Sequence, residues 1–486
     1  MTEIYSVLPF LATLCPFGGA VIVPGVYAIS KRARDWLAFA TVSVTGILVL
    51  SMAPGIFVGV EYTYLGLHVT AFGYLMGVVT TIVGLTVTAY SVFYVRKLPE
   101  PWLNYYHMLT LLFLGGILGM FFSTNLAIIY LFFEASTIIA ILLVSFEKGR
   151  AFEAGYKFYM LSGLGAMFTI MSITLIYAAT GTLELTSIPG GLSRTAAKSH
   201  ILLDLGAVLA IVGFGLKAGL VPFHAWLPDA HAEAPTPISA ILSGVVVKTG
   251  AYTLFLILFT IYWGISSGKI VLILYFLAVI SMLFGAFMAL AQTDIKRLLA
   301  YSTVSQMGYI VLGLSYGSAL GVEGGIFHIL NHSIFKVLLF LCAGNLILQT
   351  GTRNIKKMGG FARKMPFTAF SFTVASLAMA GVPPFSGFWS KLLVYYAGVE
   401  KNQLILTILA IFASCITLAY MVRVMHTIFF GELSTENVKL NERIDLTTLP
   451  ILALSMLIIV IGVFPELGLM IVRPAAQTLL EFISKI

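Results

Sequence analysis

Apolar runs, each about as long as a membrane-spanning helix, follow one another along nearly the whole chain. A hydrocarbon core about 30 Å thick is crossed by about 20 apolar residues in a helix, and backbone polar groups inside it must find their partners within the segment. Such runs stand near 7–27, 36–54, 70–94, 106–123, 125–145, 158–179, 201–221, 236–261, 270–291, 298–315, 321–348, 367–398, 403–429 and 448–471. The expected fold is an all-α polytopic membrane protein with about 14 transmembrane helices. Composition agrees, because AVILMFWYC make up 59% of the 486 residues and DEKR only 10%, a balance foreign to soluble domains of this size. The first run lacks a basic stretch before it and reads as a retained span rather than a signal peptide.

Eighteen of the 28 lysines and arginines fall in loops after odd-numbered runs, six on the opposite side, and four inside runs. Basic loops mark the cytoplasmic side, so the chain is expected in the cell membrane with both termini outside. The net charge of +8 then reflects anchoring beside anionic lipid headgroups, and no nucleic-acid partner is implied. Cys15, Cys342 and Cys415 are scattered through apolar runs without ligand spacing and read as small packed hydrophobes.

The segment V-P-F-H-A-W, Val221 to Trp226, is echoed by P-P-F-S-G-F-W, Pro383 to Trp389, with Pro222 and Pro384 162 residues apart. Five runs occupy roughly that length, so the expected organisation is an N-terminal three-helix segment (1–105), a five-helix module (106–265), a second module (266–430) and a C-terminal loop and final helix (431–486). An odd number of spans per module inverts the second copy, an arrangement associated with ion sites at the membrane midplane. Two unrelated proline-containing spans would be the plainer explanation of so short a match. Proline inside a helix removes a donor and frees a carbonyl, so the seventh and twelfth helices are expected to be broken.

Charges inside apolar runs are costly unless paired, neutralised or facing water. Glu134 stands roughly 13 to 16 Å from either end of its helix at 1.5 Å per residue, and is read as a working carboxylate or as half of a structural ion pair. Lys217, five residues before Pro222, is its best candidate partner. Lys248 lies among small residues and could carry protons onward, unless its stem merely snorkels. His328, His332 and Lys336 recur every four residues and line one helix face, which suits a relay or, more plainly, hydrogen bonding between helices. The spacing also fits a metal pair, but no H-E-x-x-H or acidic cluster accompanies it. Lys391, seven residues after Pro384, would end the series. Glu153 and Lys157 near the basic side could guide proton uptake. Asp229, His231 and Glu233, in the polar stretch expected to join the seventh and eighth spans, form a functional mouth or an ordinary loop. Trp102, Tyr105 and Tyr106 read as interface anchors.

The run G-F-G-L-K-A-G-L-V-P-F-H-A-W-L-P-D-A-H-A-E-A-P-T-P-I-S-A-I-L-S-G-V-V-V-K-T-G-A-Y, Gly213 to Tyr252, resembles the proton-translocating antiporter-like subunits of NADH:quinone oxidoreductase. Their family includes subunits of multisubunit sodium/proton (Mrp-type) antiporters and of membrane-bound hydrogenase and sulfur-reducing respiratory complexes. With Glu134 upstream and P-P-F-S-G-F-W-S-K downstream, the likeness covers most of the chain. It implies proton-pathway roles for Glu134, Lys217, Lys248, His328, His332, Lys336 and Lys391, and two inverted five-helix modules joined by a hydrophilic path halfway across the membrane. It also implies antiporter-like and small membrane subunits, peripheral redox subunits and lipids as partners, with H+ as the ion and Na+ compatible with the same path. No cofactor is expected in this chain, because no nucleotide loop, haem ligand pair or thiolate cluster is visible. Iron-sulfur clusters and a nickel-iron site belong to the implied partners. The sequence continues only about fifteen residues past its fourteenth run, so a medial subunit without a long lateral helix is expected. Lys391, where one medial branch has glutamate, leans toward the hydrogenase or sulfur-reducing relatives. A stand-alone sodium/proton antiporter is the alternative.

Overall fold

The computed structural model describes residues 2–97, 100–146, 149–188, 199–262, 267–432, 442 and 447–484. Several basic residues in the topology argument, Lys148, Arg194, Lys198, Lys439, Arg443 and Lys485, lie outside these.

The helices run in order α1 (Leu8–Ile29), α2 (Lys31–Leu50), α3 (Ala71–Tyr94), α4 (Glu100–Phe121), α5 (Leu126–Val144) and α6 (Arg150–Thr180). The expected seventh span is α7 (Ser199–Ala218), a break, and α8 (Trp226–Glu233). The eighth is α9 (Thr236–Tyr262), with π-helical turns at Leu242–Val246 and Leu258–Tyr262. There follow α10 (Ser267–Ala291), α11 (Ile295–Ser315) and α12 (Ala319–Thr350), then the broken pair α13 (Pro366–Ala380) and α14 (Ser386–Glu400). The chain closes with α15 (Leu404–Phe430), α16 (Thr448–Val463) and α17 (Pro465–Ser484).

Among the described residues twelve helices are long and apolar enough to cross a membrane, or thirteen if α16 and α17 count as one. Fourteen is reached only by adding α13 with α14, each 15 residues long. The fourteenth span expected at 448–471 is not one rod: the chain bends by 84° between α16 and α17, at Pro465, whose ring cannot continue the preceding helix. Helix starts also come earlier than the apolar runs, at Lys31 rather than 36 and Arg150 rather than 158, because charged first turns extend beyond hydrocarbon.

Local sequence sets the ends of these helices twice over. Asn125 caps α5 through the amides of Ala127 and Ile128, and Asp294 caps α11 through those of Lys296 and Arg297, each satisfying donors that lack a partner in the helix. The next helix in each case is very long, 31 residues for α6 and 32 for α12, and stops at a left-handed glycine, Gly181 or Gly351. The chain then returns to the cap in a single antiparallel bridge, Asn125 to Glu184 and Asp294 to Asn354. These paired features lie 169 or 170 residues apart, against 162 for the two prolines, so the spacing changes between Gly181 and Pro222.

The most apolar stretches of α9 and α12 are entirely buried, whereas α1, α2, α6 and α15 bury only a third of theirs. The centre of the fold therefore carries Lys248 on α9 and the His328 face on α12, and the peripheral helices meet lipid. Glycines permit the close approach of α10 and α11, where a Cβ on Gly308 would stand 2.6 Å from the Ala278 carbonyl. Arg34 is buried near the start of α2, its guanidinium on Asp35 at 2.6 Å, with His107 at 3.6 Å from the same carboxylate. Tyr106 is also buried, bonded to Ser91 at 2.8 Å, so it is a core residue and not an interface anchor.

The fold is not wholly helical. A small sheet joins β1 (Thr2–Tyr5), parallel to β2 (Val60–Tyr64), which pairs antiparallel with β3 (Leu67–Val69). The β2–β3 turn uses Leu65 and Gly66 at positive φ, as two-residue hairpins require. Diagonally across the hairpin, Glu61 and His68 form an ion pair of 2.8 Å. Burial works against the imidazolium, but the hydrogen bond and charge of Glu61, with Glu3 and Glu184 nearby, raise the His68 pKa above its ordinary value. A raised pKa means stability fully present below about 6.5, the unpaired value, and lost as pH rises through the folded one. After correction for intrinsic exchange rates, amides of Tyr62–Val69 should lose protection from pH 6 to pH 9, and His68→Gln should abolish that change.

Candidate functional site

The break after α7 exposes polar backbone inside the protein, and nearby side chains satisfy it. The Val221 amide donates to Ser281 Oγ at 3.0 Å, and the Trp226 indole donates to the Leu216 carbonyl at 2.8 Å. Lys217 stands in the last turn of α7, where helix-end carbonyls favour a cation. Its Nζ lies 3.7 Å from Glu134 Oε1, donates to Thr137 Oγ1 at 2.6 Å, and sits 4.9 Å from the centre of the Phe133 ring. Glu134, Phe133 and Thr137 share one face of α5, so the expected Glu134–Lys217 pair is present. The lysine is buried, while the Glu134 side chain keeps 21% of its exposure, on the outer flank of this chain.

The other three lysines in apolar runs have no carboxylate within ion-pair range among the described residues. Each is held instead by backbone. Lys248 donates to the Ser243 carbonyl in the π-helical turn of α9, where the widened helix presents a carbonyl to a side chain. Lys336 donates to the Leu299 carbonyl at 2.9 Å and to Ser302 Oγ. Lys391 donates to the Met379 carbonyl at 2.9 Å, at the open end of α13, and to Ser414 Oγ at 2.8 Å, and lies 4.4 Å from the Tyr309 ring centre. Snorkelling by Lys248 is overturned, because the side chain is wholly buried and directed to its own helix.

His328, His332 and Lys336 are all buried on α12. His328 bridges two elements, with Nδ1 2.9 Å from Ser390 Oγ and Nε2 3.1 Å from Gln306 Oε1. Ser390 precedes Lys391, so the bridge joins the α12 row to the second break. His332 stands 6.1 Å from His328 ring to ring, and neither of its nitrogens has a protein hydrogen bond.

Asp229, His231 and Glu233 belong to α8 rather than to a loop, because the chain resumes its helix after the break and carries them back into the protein. Asp229 pairs with Lys157 at 2.6 Å and with Arg297; Glu233 pairs with Arg353 at 3.1 Å, which also reaches Asp294 at 3.3 Å. With Arg150 and Glu153 these residues line a cleft of about 310 Å³. His231 lies apart from its neighbours, buried and stacked 5.0 Å over Phe340. Sequence reasoning missed Thr137, Ser302, Gln306, Ser390 and Ser414. It also set Lys296 in a loop, although Lys296 is buried and donates to the Ala234 carbonyl at 2.5 Å. Only Thr137, one turn from Glu134, carried a signal in the sequence.

A second cleft, of about 230 Å³, reaches Lys391 between the α13–α14 break and α15 and is lined by Gly381, Tyr395, Ser414 and Cys415. Three buried lysines bonded to main-chain carbonyls, a carboxylate beside the fourth and a charged cleft beside α8 set polar groups inside an otherwise apolar protein. The family model described as NADH:quinone oxidoreductase/Mrp antiporter, transmembrane, matches residues 123–417, and the chain belongs to this family. It is 33% identical to NADH-quinone oxidoreductase subunit N of Desulforudis audaxviator over 74% of each chain. It is 32% identical to a Na(+)/H(+) antiporter subunit of Alkalihalophilus pseudofirmus over 96% of this chain and 63% of that one. Among solved structures, a chain of the membrane-bound sulfane sulfur reductase, an archaeal respiratory membrane complex, aligns with TM-score 0.90 and 29% identity over 99% of this chain and 100% of that one. A chain of the Mrp complex of Dietzia sp. DQ12-45-1b shares the fold, with TM-score 0.88 at 24% identity over 98% of each chain.

Gly381 ends α13 at φ +84, and a Cβ there would stand 3.0 Å from Lys391 Cδ. Gly381→Ala should lower stability by about 1 to 3 kcal/mol from the left-handed backbone, seen as an earlier thermal transition in detergent. Gly351→Ala, with open space around its Cβ, should show the backbone cost alone.

Proposed function

We propose that this chain is a proton-translocating, antiporter-like membrane subunit of a redox-driven respiratory complex. The carrying observation is the Glu134–Lys217 pair at 3.7 Å at one end of a row of buried lysines that have no other carboxylate among the described residues. A shift in a neighbouring subunit that withdraws Glu134, or protonates it, leaves the Lys217 ammonium without its counter-charge in a low-dielectric setting. Lys217 then gives up its proton, and the change passes through Lys248 and the His328, His332 and Lys336 face to Lys391. The bare ring nitrogens of His332 suit ordered waters that would carry the proton. The cleft of Glu153, Lys157, Asp229 and Glu233 takes up protons from the cytoplasmic side, with both termini outside, and His231 lies between that cleft and the lysine row. Two five-helix modules, 106–265 and 266–430, account for the repeated caps, left-handed glycines and bridges.

The chemistry that drives the pump belongs to peripheral subunits carrying iron-sulfur clusters, joined by a nickel-iron site if the complex is a hydrogenase. Other antiporter-like and small membrane subunits complete the membrane arm. The 29% identity and full-length match to a chain of the archaeal sulfane sulfur reductase support this reading. A stand-alone sodium/proton antiporter would keep the same path, and the match to the Alkalihalophilus antiporter chain over 96% of this one favours it. Purification of the native complex in mild detergent, with subunit mass spectrometry and iron and nickel analysis, separates the two. Iron-sulfur subunits assign a redox pump, nickel a hydrogenase, and small hydrophobic partners without metal an antiporter.

Lys217→Ala and Glu134→Gln should each reduce proton translocation by at least tenfold in reconstituted vesicles while the complex remains assembled. Unchanged coupled transport in Lys217→Ala would sink this role.

A further inference from the structure

Tyr252 stands one turn beyond Lys248 on α9, on the side away from the Asp229 cleft. It is fully buried, its ring 4.6 Å from Phe72 and 4.9 Å from Phe121, and its hydroxyl donates to the Phe121 carbonyl at 3.3 Å. That hydroxyl lies at the first turn of α3, where a Cβ on Gly73 would stand 3.4 Å from it, and the cap Thr70 accepts from the Gly73 amide at 3.2 Å. Just beyond Thr70 is the β2–β3 hairpin with the buried Glu61 carboxylate on His68.

Glu61 also lines a cleft with Ile56, Gly59, Ala71, Gln477 and Glu481, between the hairpin and α17. The cleft offers about 90 Å³ to water-sized occupants, room for several waters. Its rim is open to the surroundings at Gly59 and Gln477. The relay through Lys391 uses none of these groups. An ion pair that served only the hairpin would need neither a water-sized cleft against its carboxylate nor a buried hydroxyl leading toward it from the Lys248 helix.

We propose that Tyr252, Thr70 and the Glu61–His68 pair form a second outward proton path, which takes protons from Lys248 and opens through the cleft beside α17. The inference rests on the proton-translocating function proposed above. The Lys248 ammonium is held on the inward side by the Ser243 carbonyl, and its four-carbon stem lets it swing toward Tyr252. The Tyr252 hydroxyl accepts one proton as it donates another, so it stays neutral, and Thr70 does the same. Lys248 is left as a neutral amine and Glu61 as a carboxylic acid, which releases its proton to water in the cleft. His68 positions Glu61 and restores its charge; Glu3, Glu184 and Glu481 are the other charged groups around this mouth.

The test compares Glu61→Gln, Glu61→Asp, Tyr252→Phe and Lys217→Ala in the complete complex, reconstituted in vesicles with a pH-sensitive dye. Glu61→Gln and Tyr252→Phe should each remove at least about half of the flux that Lys217→Ala removes, and Glu61→Asp should retain it. Glu61→Gln should also flatten the dependence of flux on outer-side pH, a change that a purely structural defect would not produce. Wild-type flux in both assembled variants overturns the path while leaving the Lys217 function standing. If Glu61→Gln prevents assembly, Tyr252→Phe decides alone, since it removes one oxygen from an intact aromatic cage. Unchanged flux in Lys217→Ala overturns the functional reading itself.

Discussion

The bond from a buried lysine ammonium to a main-chain carbonyl, in three of four cases one freed by an irregular or ending helix, is the interaction on which this protein's interior depends. An isolated ammonium in a low-dielectric interior is too costly to hold, and a carboxylate for every lysine would fix each charge in place. Lys248 on Ser243, Lys336 on Leu299, Lys391 on Met379 and Lys296 on Ala234 take a middle course. A carbonyl dipole steadies the charged form without being a full counter-charge, so the ammonium survives burial without being locked into an ion pair.

That requirement explains where the helices are irregular. Spanning helices ordinarily satisfy their backbone groups themselves, so a carbonyl without a helical partner is an open site for a lysine; Lys336 instead shares the Leu299 carbonyl of the regular helix α11. The break after Ala218, the π-helical turn at Leu242–Val246 and the open end of α13 at Ala380 each release polar groups. They lie in the buried interior or border clefts, where irregular backbone is tolerated. Small residues make these sites possible: Gly387 lets α14 close on the Ala378 carbonyl, and Gly250 lets α9 approach α7 at Phe214.

Much of this was legible in the residues. Run length and the scarcity of charge define a helical membrane protein, and the Val-Pro and Pro-Pro motifs mark the two breaks. The Glu134–Lys217 pair follows from depth and from Pro222, five residues after Lys217. The sheet was not legible, because β1 is four residues long and finds its partner β2 some sixty residues away. Nor was the turn into α17, since Pro465 sits inside a run whose apolar content continues past it. Asp229, His231 and Glu233 looked like a loop because prolines and charges crowd there. Hydropathy reports only the solvent, and burial of His231 under Phe340 with three basic partners on the acids holds the same residues as a helix. Hydroxyl partners such as Thr137 and Ser390 were hidden for another reason: serine and threonine in spanning helices commonly bond their own backbone, so their presence alone does not mark a site.

In the proposed function, the one carboxylate beside the row among the described residues gives the row a direction. Like charges in a low-dielectric interior repel strongly, so the protonation of one lysine depends on its neighbours and the groups titrate together. With a carboxylate beside each lysine, every site would be locally neutral and indifferent to the next. With Glu134 at one end only, a change there alters the electrostatic balance felt along the row. The charges around Asp229 behave differently: Lys157 and Arg297 share one carboxylate and Arg353 spans two, so that cluster is locally compensated and suited to holding its shape. Glu134 keeps part of its side chain open, so in the proposed function the carboxylate at the end of the row is the group that a change outside this chain could reach.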